Sequence, residues 1–439
     1  MYTSMRLLFR REGFRRYFTN TSWLLAEKIL RLTVGLFISI WIARYLGPEK
    51  FGLLSFAESF VAIFTAVMAL GLNSIVVREL VTGKLQQNTV LGTSFALRAI
   101  GAACMLACIV VIVNTADYDA LTRQIIIILG LAASFKFYEV IDFYFQAKVL
   151  AKYSAISNAC ALLLSAAVKI FLIYIQAPLV WFAYVFLVES FLLSVFYLYF
   201  FTRTGNSVRS MRFKWDIGKT LLADSWPLIF SGIVISVYMK IDQVMIQEYL
   251  GSWHVGQYAA GVRLCDAWLF ITVIITNSLF PAIVTAKSQS DALFRERMIA
   301  LYKFLILIAV SISVVTSILS EHLIAWTFGD NYEPAATVLQ LYIWSIIFVF
   351  MNNASWKWYI AENLQKIAML RLSLGAVANI ALNMIFIPQY GIEGAAYATL
   401  ISYVLATYLG NALHPKTFTN FKMQTYSLLT FYSFKAKAW

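Results

Sequence analysis

Residues 45–52 read YLGPEKFG, and residues 249–256 read YLGSWHVG. Each stretch sets Tyr-Leu-Gly ahead of a second glycine, with four residues between, and the two copies lie 204 positions apart. A weaker echo pairs Asp117-Tyr118-Asp119-Ala120 with Asn331-Tyr332-Glu333-Pro334-Ala335 at an offset of 214. Around these turns run twelve apolar segments between residues 21 and 413. Each is long enough to cross a bilayer core, which takes about 20 helical residues. No period-two alternation runs through them, which argues against a transmembrane barrel. Six segments separate the members of each echo, and an even number preserves chain direction, so the halves are expected to be parallel repeats. The expected fold class is therefore an all-α polytopic membrane protein, with twelve transmembrane helices in two parallel six-helix repeats around a central cavity. The expected divisions are a basic interfacial arm (1–20), an N-terminal six-helix bundle (21–201), a cytoplasmic linker (202–216), a C-terminal six-helix bundle (217–413) and a cytoplasmic tail (414–439).

Composition independently excludes the soluble classes. Of 439 residues, 61% are hydrophobic and 13% charged, whereas soluble domains carry about 25% charged residues. The four cysteines, Cys104, Cys108, Cys160 and Cys265, sit in apolar runs and read as small hydrophobes. His254, His322 and His414 are too scattered to build a metal site, so no metal and no resident cofactor is expected.

The net charge of +13 invites a nucleic-acid reading, but its placement favours topology. With the N-terminus inside, 22 of the 35 Lys and Arg fall in inner connections and two, Lys50 and Arg123, in outer ones. That asymmetry predicts both termini in the cytoplasm and attributes the basic balance to orientation and anionic lipid, with no nucleic-acid partner.

The remaining basic residues lie within the spans, where a bare charge is costly. Arg44, Lys303, Lys357 and Arg371 are near span ends and are expected to snorkel. Glu27 and Arg31 have the favourable i, i+4 order. Lys136, Glu139 and Asp142 step by three along one face, and Arg263 lies three residues before Asp266. Arg98 has no acid within four residues on its helix and sits about 15 Å into its span, so it must face protein or a wet cavity. Trp23, Trp215, Trp253, Trp326, Trp356 and Trp358 fall near span ends, as an interfacial belt requires. Pro227, well inside a span, is a kink and hinge candidate.

The same turns also carry a family likeness. ARYLGPEKFGLLSFAESF (43–60) and ALGLNSIVVREL (69–80) resemble the N-terminal signature of polysaccharide-export flippases. KIDQVMIQEYLGSWHVGQYAAGVRL (240–264) resembles the start of their second half, and FGDNYEPAATVLQLYIW and IPQYGIEGAAYATLISYV resemble later signatures. The likeness runs in order over nearly the whole chain. It resembles the O-antigen/polysaccharide (Wzx-type) flippases of the multidrug/oligosaccharidyl-lipid/polysaccharide exporter superfamily.

The resemblance implies a cargo: an undecaprenyl-diphosphate-linked oligosaccharide moved from the cytoplasmic to the periplasmic leaflet of a bacterial inner membrane, alongside the polysaccharide polymerase machinery. Guanidinium forks match phosphate oxygens, so Arg31, Arg98 and Arg263 become the leading substrate-binding candidates, with Lys28 and Lys240 in support. Asp242, Asp266 and Glu58 are candidates for binding a coupling H+ or Na+.

Two other functions stay open. A cation-coupled multidrug exporter would share the architecture, and the mixture of deep acids and cations discriminates only mildly against it. A membrane polymerase or ligase would need catalytic groups on a large outer loop. The longest outer connection, 320–334, has no Lys, Arg or catalytic dyad. No GxxxxGK[ST] phosphate loop occurs. The sequence therefore reads as a transporter and not an enzyme.

Overall fold

The computed structural model describes the backbone from Glu12 to Ser433 and the side chains from Thr19 to Ser433. Most of the expected basic arm and the last six residues of the tail lie outside the described residues.

The described chain is nearly all helix, without a strand. The first part comprises α1 (Glu12–Ala69), α2 (Leu72–Thr82), α3 (Gln87–Thr115), α4 (Ala120–Ser134), α5 (Glu139–Ala147), α6 (Ala151–Tyr174) and α7 (Leu179–Arg203). Then come α8 (Trp215–Leu250), α9 (Ser252–Asp266), α10 (Leu269–Gln289), α11 (Asp291–Ile318) and α12 (Ser320–Thr327). The chain ends with α13 (Pro334–Tyr342), α14 (Ser345–Ala361), α15 (Gln365–Tyr403) and α16 (Phe418–Thr430). Ten helical stretches among the described residues are long and apolar enough to cross a membrane. Two of them contain a glycine break, at Gly47 in α1 and at Gly391 in α15. Each broken stretch holds two of the expected spans, which brings the number to twelve. The chain is a multi-pass membrane protein.

It forms two compact units. Unit 1 comprises residues 1–45 and 57–236, and unit 2 comprises 46–56 and 237–439. In unit 1, α6 packs on α7, α7 on α4 and α4 on α3. Gly71, at φ 59°, lies against the backbone of Ser225 and Ile229, where Pro227 interrupts the amide ladder of α8. In unit 2, α11 packs on α10, α14 and α16, and α9 on α13.

The quoted turns have one backbone conformation. Gly47 adopts φ 71°, ψ 170° and Gly251 φ 87°, ψ 176°, a region open to glycine and costly for other residues. Within unit 2 the two copies meet each other. A Cβ on Gly52 would lie 1.8 Å from the carbonyl oxygen of Ser252, and one on Gly256 would lie 2.0 Å from that of Pro48. Pro48 and Ser252, like Gly52 and Gly256, are 204 positions apart, so the contact is reciprocal. The second glycine of each motif is thus needed for backbone approach, as at small-residue helix contacts in membranes. The weaker echo also has a structural meaning, since each copy opens a helix: Asp119 caps α4 through Leu121 N, and Pro334 begins α13.

One expectation needs correction here. Trp358 is 3% exposed and packs in the interior of unit 2, not in an interfacial belt. The tail folds as the 13-residue α16, about 20 Å long and too short to span. It is built inside out: Asn420, Gln424 and Ser427 are buried, while Phe418, Tyr426 and Leu429 are exposed. Apolar groups turned outward suit a lipid surface, and the buried amides need partners within the unit.

Candidate functional site

Unit 1 encloses a cavity of about 460 Å³, within the range of small-ligand sites. Its charged lining comes from three helices and a short 3-10 segment. Arg31 stands on α1, Lys136 on the 3-10 turn Phe135–Tyr138, Glu139 and Asp142 on α5, and Glu189 on α7. The expected Lys136–Glu139–Asp142 ladder is not formed: Arg98 takes Glu139, Gln146 bonds Asp142, and Lys136 stays exposed without an ion-pair partner among the described residues.

Both glutamates are held from behind by buried cations. Arg98 Nη2 donates to Glu139 Oε2 at 2.8 Å, and Lys169 Nζ donates to Glu189 Oε2 at 3.2 Å. The cation side chains are 1% and 9% exposed, the glutamates 33% and 26%. Arg98 further lies over the Phe143 ring at 5.2 Å, and Lys169 over Phe186 at 4.4 Å. Asp142 Oδ2 accepts from Gln146 at 2.7 Å. Arg31 makes the expected pair with Glu27, through Nε at 2.8 Å and Nη2 at 2.6 Å, and remains half exposed. Lys28 is exposed and lines no part of this cavity.

Unit 2 has its own polar centre. Asp242, 6% exposed, accepts from Asn383 Nδ2 at 2.6 Å, Thr399 Oγ1 at 2.6 Å and the Tyr258 hydroxyl at 2.8 Å. Asn383 also donates to Asn379 Oδ1 at 3.3 Å, and its own Oδ1 is buried with no partner among the described residues. A small cavity of about 40 Å³ brings Asp242 together with Lys240 and Asp266. Arg263 lies over the Phe51 ring at 5.0 Å and is absent from the lining. Glu58 is partly buried and lines neither cavity.

Arg371 overturns the snorkelling expectation. It is 3% exposed and points into unit 2. Nη1 donates to Thr407 O at 3.0 Å and Asn411 Oδ1 at 3.2 Å, and Nη2 to Asn352 Oδ1 at 2.6 Å. It also lies over Tyr359 at 5.0 Å. The network runs on through Asn411 and Gln424 (2.7 Å), Gln424 and Ser355 (2.8 Å), and Asn420 and Tyr302 (2.7 Å). These are the partners of α16. Arg371 stays inside because Asn352 of α14 and Thr407 and Asn411 of the stretch that continues α15 meet it there, an arrangement that its distance from the span end does not reveal. Of the other three, Arg44 is exposed, Lys303 bonds Ser433 and Lys357 bonds Asn277.

The structure thus joins Arg31 to one cavity and Lys240, Asp242 and Asp266 to another. Arg98 is placed behind a carboxylate and lines neither cavity. The Glu139, Glu189 and Lys169 set was not singled out from sequence as a site. For Asp242 the visible signal was Asn379 and Asn383, two amides one turn apart in an apolar helix.

Among the described residues no group of three or more His, Cys, Asp or Glu could hold a metal ion. The profile of the family described as "Polysaccharide biosynthesis protein" matches residues 18–287. The probable low-salt glycan biosynthesis flippase Agl15 of Haloferax volcanii is 24% identical over 190 residues, 43% of this chain and 40% of that protein. The chain therefore spans less than half the length of that relative. Among solved structures, the chain resembles the lipid II flippase MurJ in an inward closed conformation, with a TM-score of 0.71, 15% identity, and coverage of 95% of this chain and 92% of that one. It also resembles an inward-facing multidrug resistance MATE family transporter of the MOP superfamily, with a TM-score of 0.67, 13% identity, and coverage of 92% and 95%. A MOP superfamily transporter from Pyrococcus furiosus gives a TM-score of 0.62 at 14% identity, over 97% and 98% of the two chains. At such identities these structures establish the fold.

Proposed function

The chain belongs to the polysaccharide biosynthesis protein family, and from that premise we propose that it is a flippase for a lipid-linked oligosaccharide. Its cargo is an undecaprenyl-diphosphate-linked repeat unit, of the O-antigen kind, carried by alternating access from the cytoplasmic to the periplasmic leaflet of a bacterial inner membrane. The observation that carries this reading is the cavity of unit 1, a charged chamber among helices apolar enough to cross a membrane. A diphosphate cannot enter hydrocarbon bare. Arg31 and Lys136 supply cations on the cavity wall, with the guanidinium able to fork onto phosphate oxygens. Arg98 serves this site indirectly, through Glu139. The relative from Haloferax, described as a glycan biosynthesis flippase, supports the substrate class.

Asp242 is the proposed coupling centre. One carboxylate and the neutral oxygens of Asn379, Asn383 and Thr399 make a set suited to a hard monovalent cation. The unpartnered Asn383 Oδ1 offers a ready ligand. A cation held there would neutralise the buried charge and thereby favour one packing of α8, α9 and α15 over another. Asp242→Asn should abolish the dependence of transport on the driving ion.

The deciding experiment is deletion of the gene followed by analysis of lipid-linked intermediates. Accumulation of repeat units on the cytoplasmic leaflet with loss of surface polysaccharide is expected. Normal polysaccharide with new drug sensitivity would overturn the flippase reading in favour of an exporter.

A further inference from the structure

In the unit 1 cavity, Glu139 and Glu189 are arranged alike. Each has one oxygen, Oε2, clamped by a cation that is itself almost fully buried. Each nevertheless lines the cavity and stays about a quarter to a third exposed. A buried cation behind a carboxylate fixes its direction, while its remaining lone pairs still call for a donor. Water alone could satisfy them, but the neighbouring wall is not that of a simple water pocket. Asn158 and Ser190 add hydrogen-bonding groups, and Tyr138 presents a ring stacked on Phe137 at 4.4 Å. Fixed charged acceptors, amides and an aromatic face together match a polyhydroxylated ring, with hydroxyl edges and an apolar face. Phosphate is the wrong partner for these two residues, because carboxylates repel it.

We infer that Glu139 and Glu189 bind the hydroxyl groups of the sugar nearest the diphosphate, with Arg98 and Lys169 as the residues that position them. The inference rests on the lipid-linked cargo proposed above, and it divides the cavity by charge. Arg31 and Lys136 face the diphosphate, and the two backed glutamates read the first sugar. The specificity of the protein for its glycan then resides in acids, although the chain is strongly basic.

The test uses the full-length protein in nanodiscs and two synthetic probes: a short-chain polyprenyl diphosphate, and the same lipid bearing one hexose. Wild type is expected to bind the glycosylated probe about tenfold or more tighter, the contribution of a charged hydrogen bond or two. Glu139→Gln and Glu189→Gln preserve shape and should each lose most of that increment. Their affinity for the sugar-free lipid should stay within about twofold, which also reports that the variants are folded. Arg98→Lys should restore more of the increment than Arg98→Met, because an ion pair can still orient Glu139. An increment that survives both glutamine variants would overturn the inference, and so would equal weakening of both probes. Wild type that binds the bare lipid but gains nothing from the sugar would overturn it while leaving the flippase reading intact. Wild type that binds neither probe would remove both.

Discussion

Adding one carbon at Gly256 should damage the protein far more than adding one at Gly35. The Cβ of Gly256→Ala would lie 2.0 Å from Pro48 O, whereas ordinary contact begins near 3.4 Å. The obstacle is backbone on both sides, so α9 and the 48–52 segment must separate by about 1.4 Å, the difference between those distances. Overpacking of this sort costs about 1–3 kcal/mol, and no rotamer change can relieve a backbone clash. Alanine regains up to about 1 kcal/mol of helix propensity, so a net loss of about 1–2 kcal/mol is expected, at the upper end because the clash is backbone on backbone. Gly52→Ala, whose Cβ would meet Ser252 O at 1.8 Å, should cost at least as much. Gly35 has nothing within 4 Å of its added Cβ, so Gly35→Ala keeps the propensity gain and should melt at or above wild type. The assay is the unfolding midpoint of purified protein in one detergent for all variants, with membrane yield as a second reading. Equal midpoints for Gly35→Ala, Gly52→Ala and Gly256→Ala would refute the close-approach reasoning.

Arg371→Ala should lower the midpoint by an amount worth about 3 kcal/mol or more, since hydrogen bonds to a charged group contribute about 1.5–3 kcal/mol each and three acceptors lose their donor. A wild-type melt for that variant would contradict the buried network. Arg98→Ala and Glu139→Gln should couple by about 1–3 kcal/mol in a double-mutant cycle of stability, whereas independent effects would mean that the pair does not form in the membrane. Reporter fusions at Ser207 and Asn331 should appear on opposite faces, with Ser207 inside, given five Lys and Arg in 202–219 and none in 320–334; a shared face would rule out that topology.

The spans were legible because lipid imposes a length and an apolar content that twenty residues can display. The turn glycines were legible because a positive φ and a close approach each exclude side chains. The site was harder to read, for a physical reason. Arg98 and Glu139 are 41 positions apart, and Lys169 and Glu189 are 20 apart. Pairs within one helix follow a fixed spacing, whereas pairs between helices depend on crossing geometry that local sequence does not encode. Arg371 failed for the same reason: depth along a helix was readable, but the inward turn of the side chain depended on Asn352, Thr407 and Asn411. The inverted face of α16 could have been anticipated from Asn420, Gln424 and Ser427 at helical spacing, had the buried side been sought among the polar residues.

The meeting of the two YLG turns also bears on symmetry. A stretch that touches its own copy, with Gly52 on Ser252 and Gly256 on Pro48, has the self-complementarity of a two-fold dimer contact. Each copy carries both surfaces of the contact, the glycine that is approached and the carbonyl that approaches it. Joined in one chain, the two copies need not stay identical. Phe51, now beneath Arg263 at 5.0 Å, corresponds at the same offset to Val255, and Arg263 corresponds to Ser59. The symmetry is thus kept at the glycines and broken within a few residues of them, where one copy alone carries a cation.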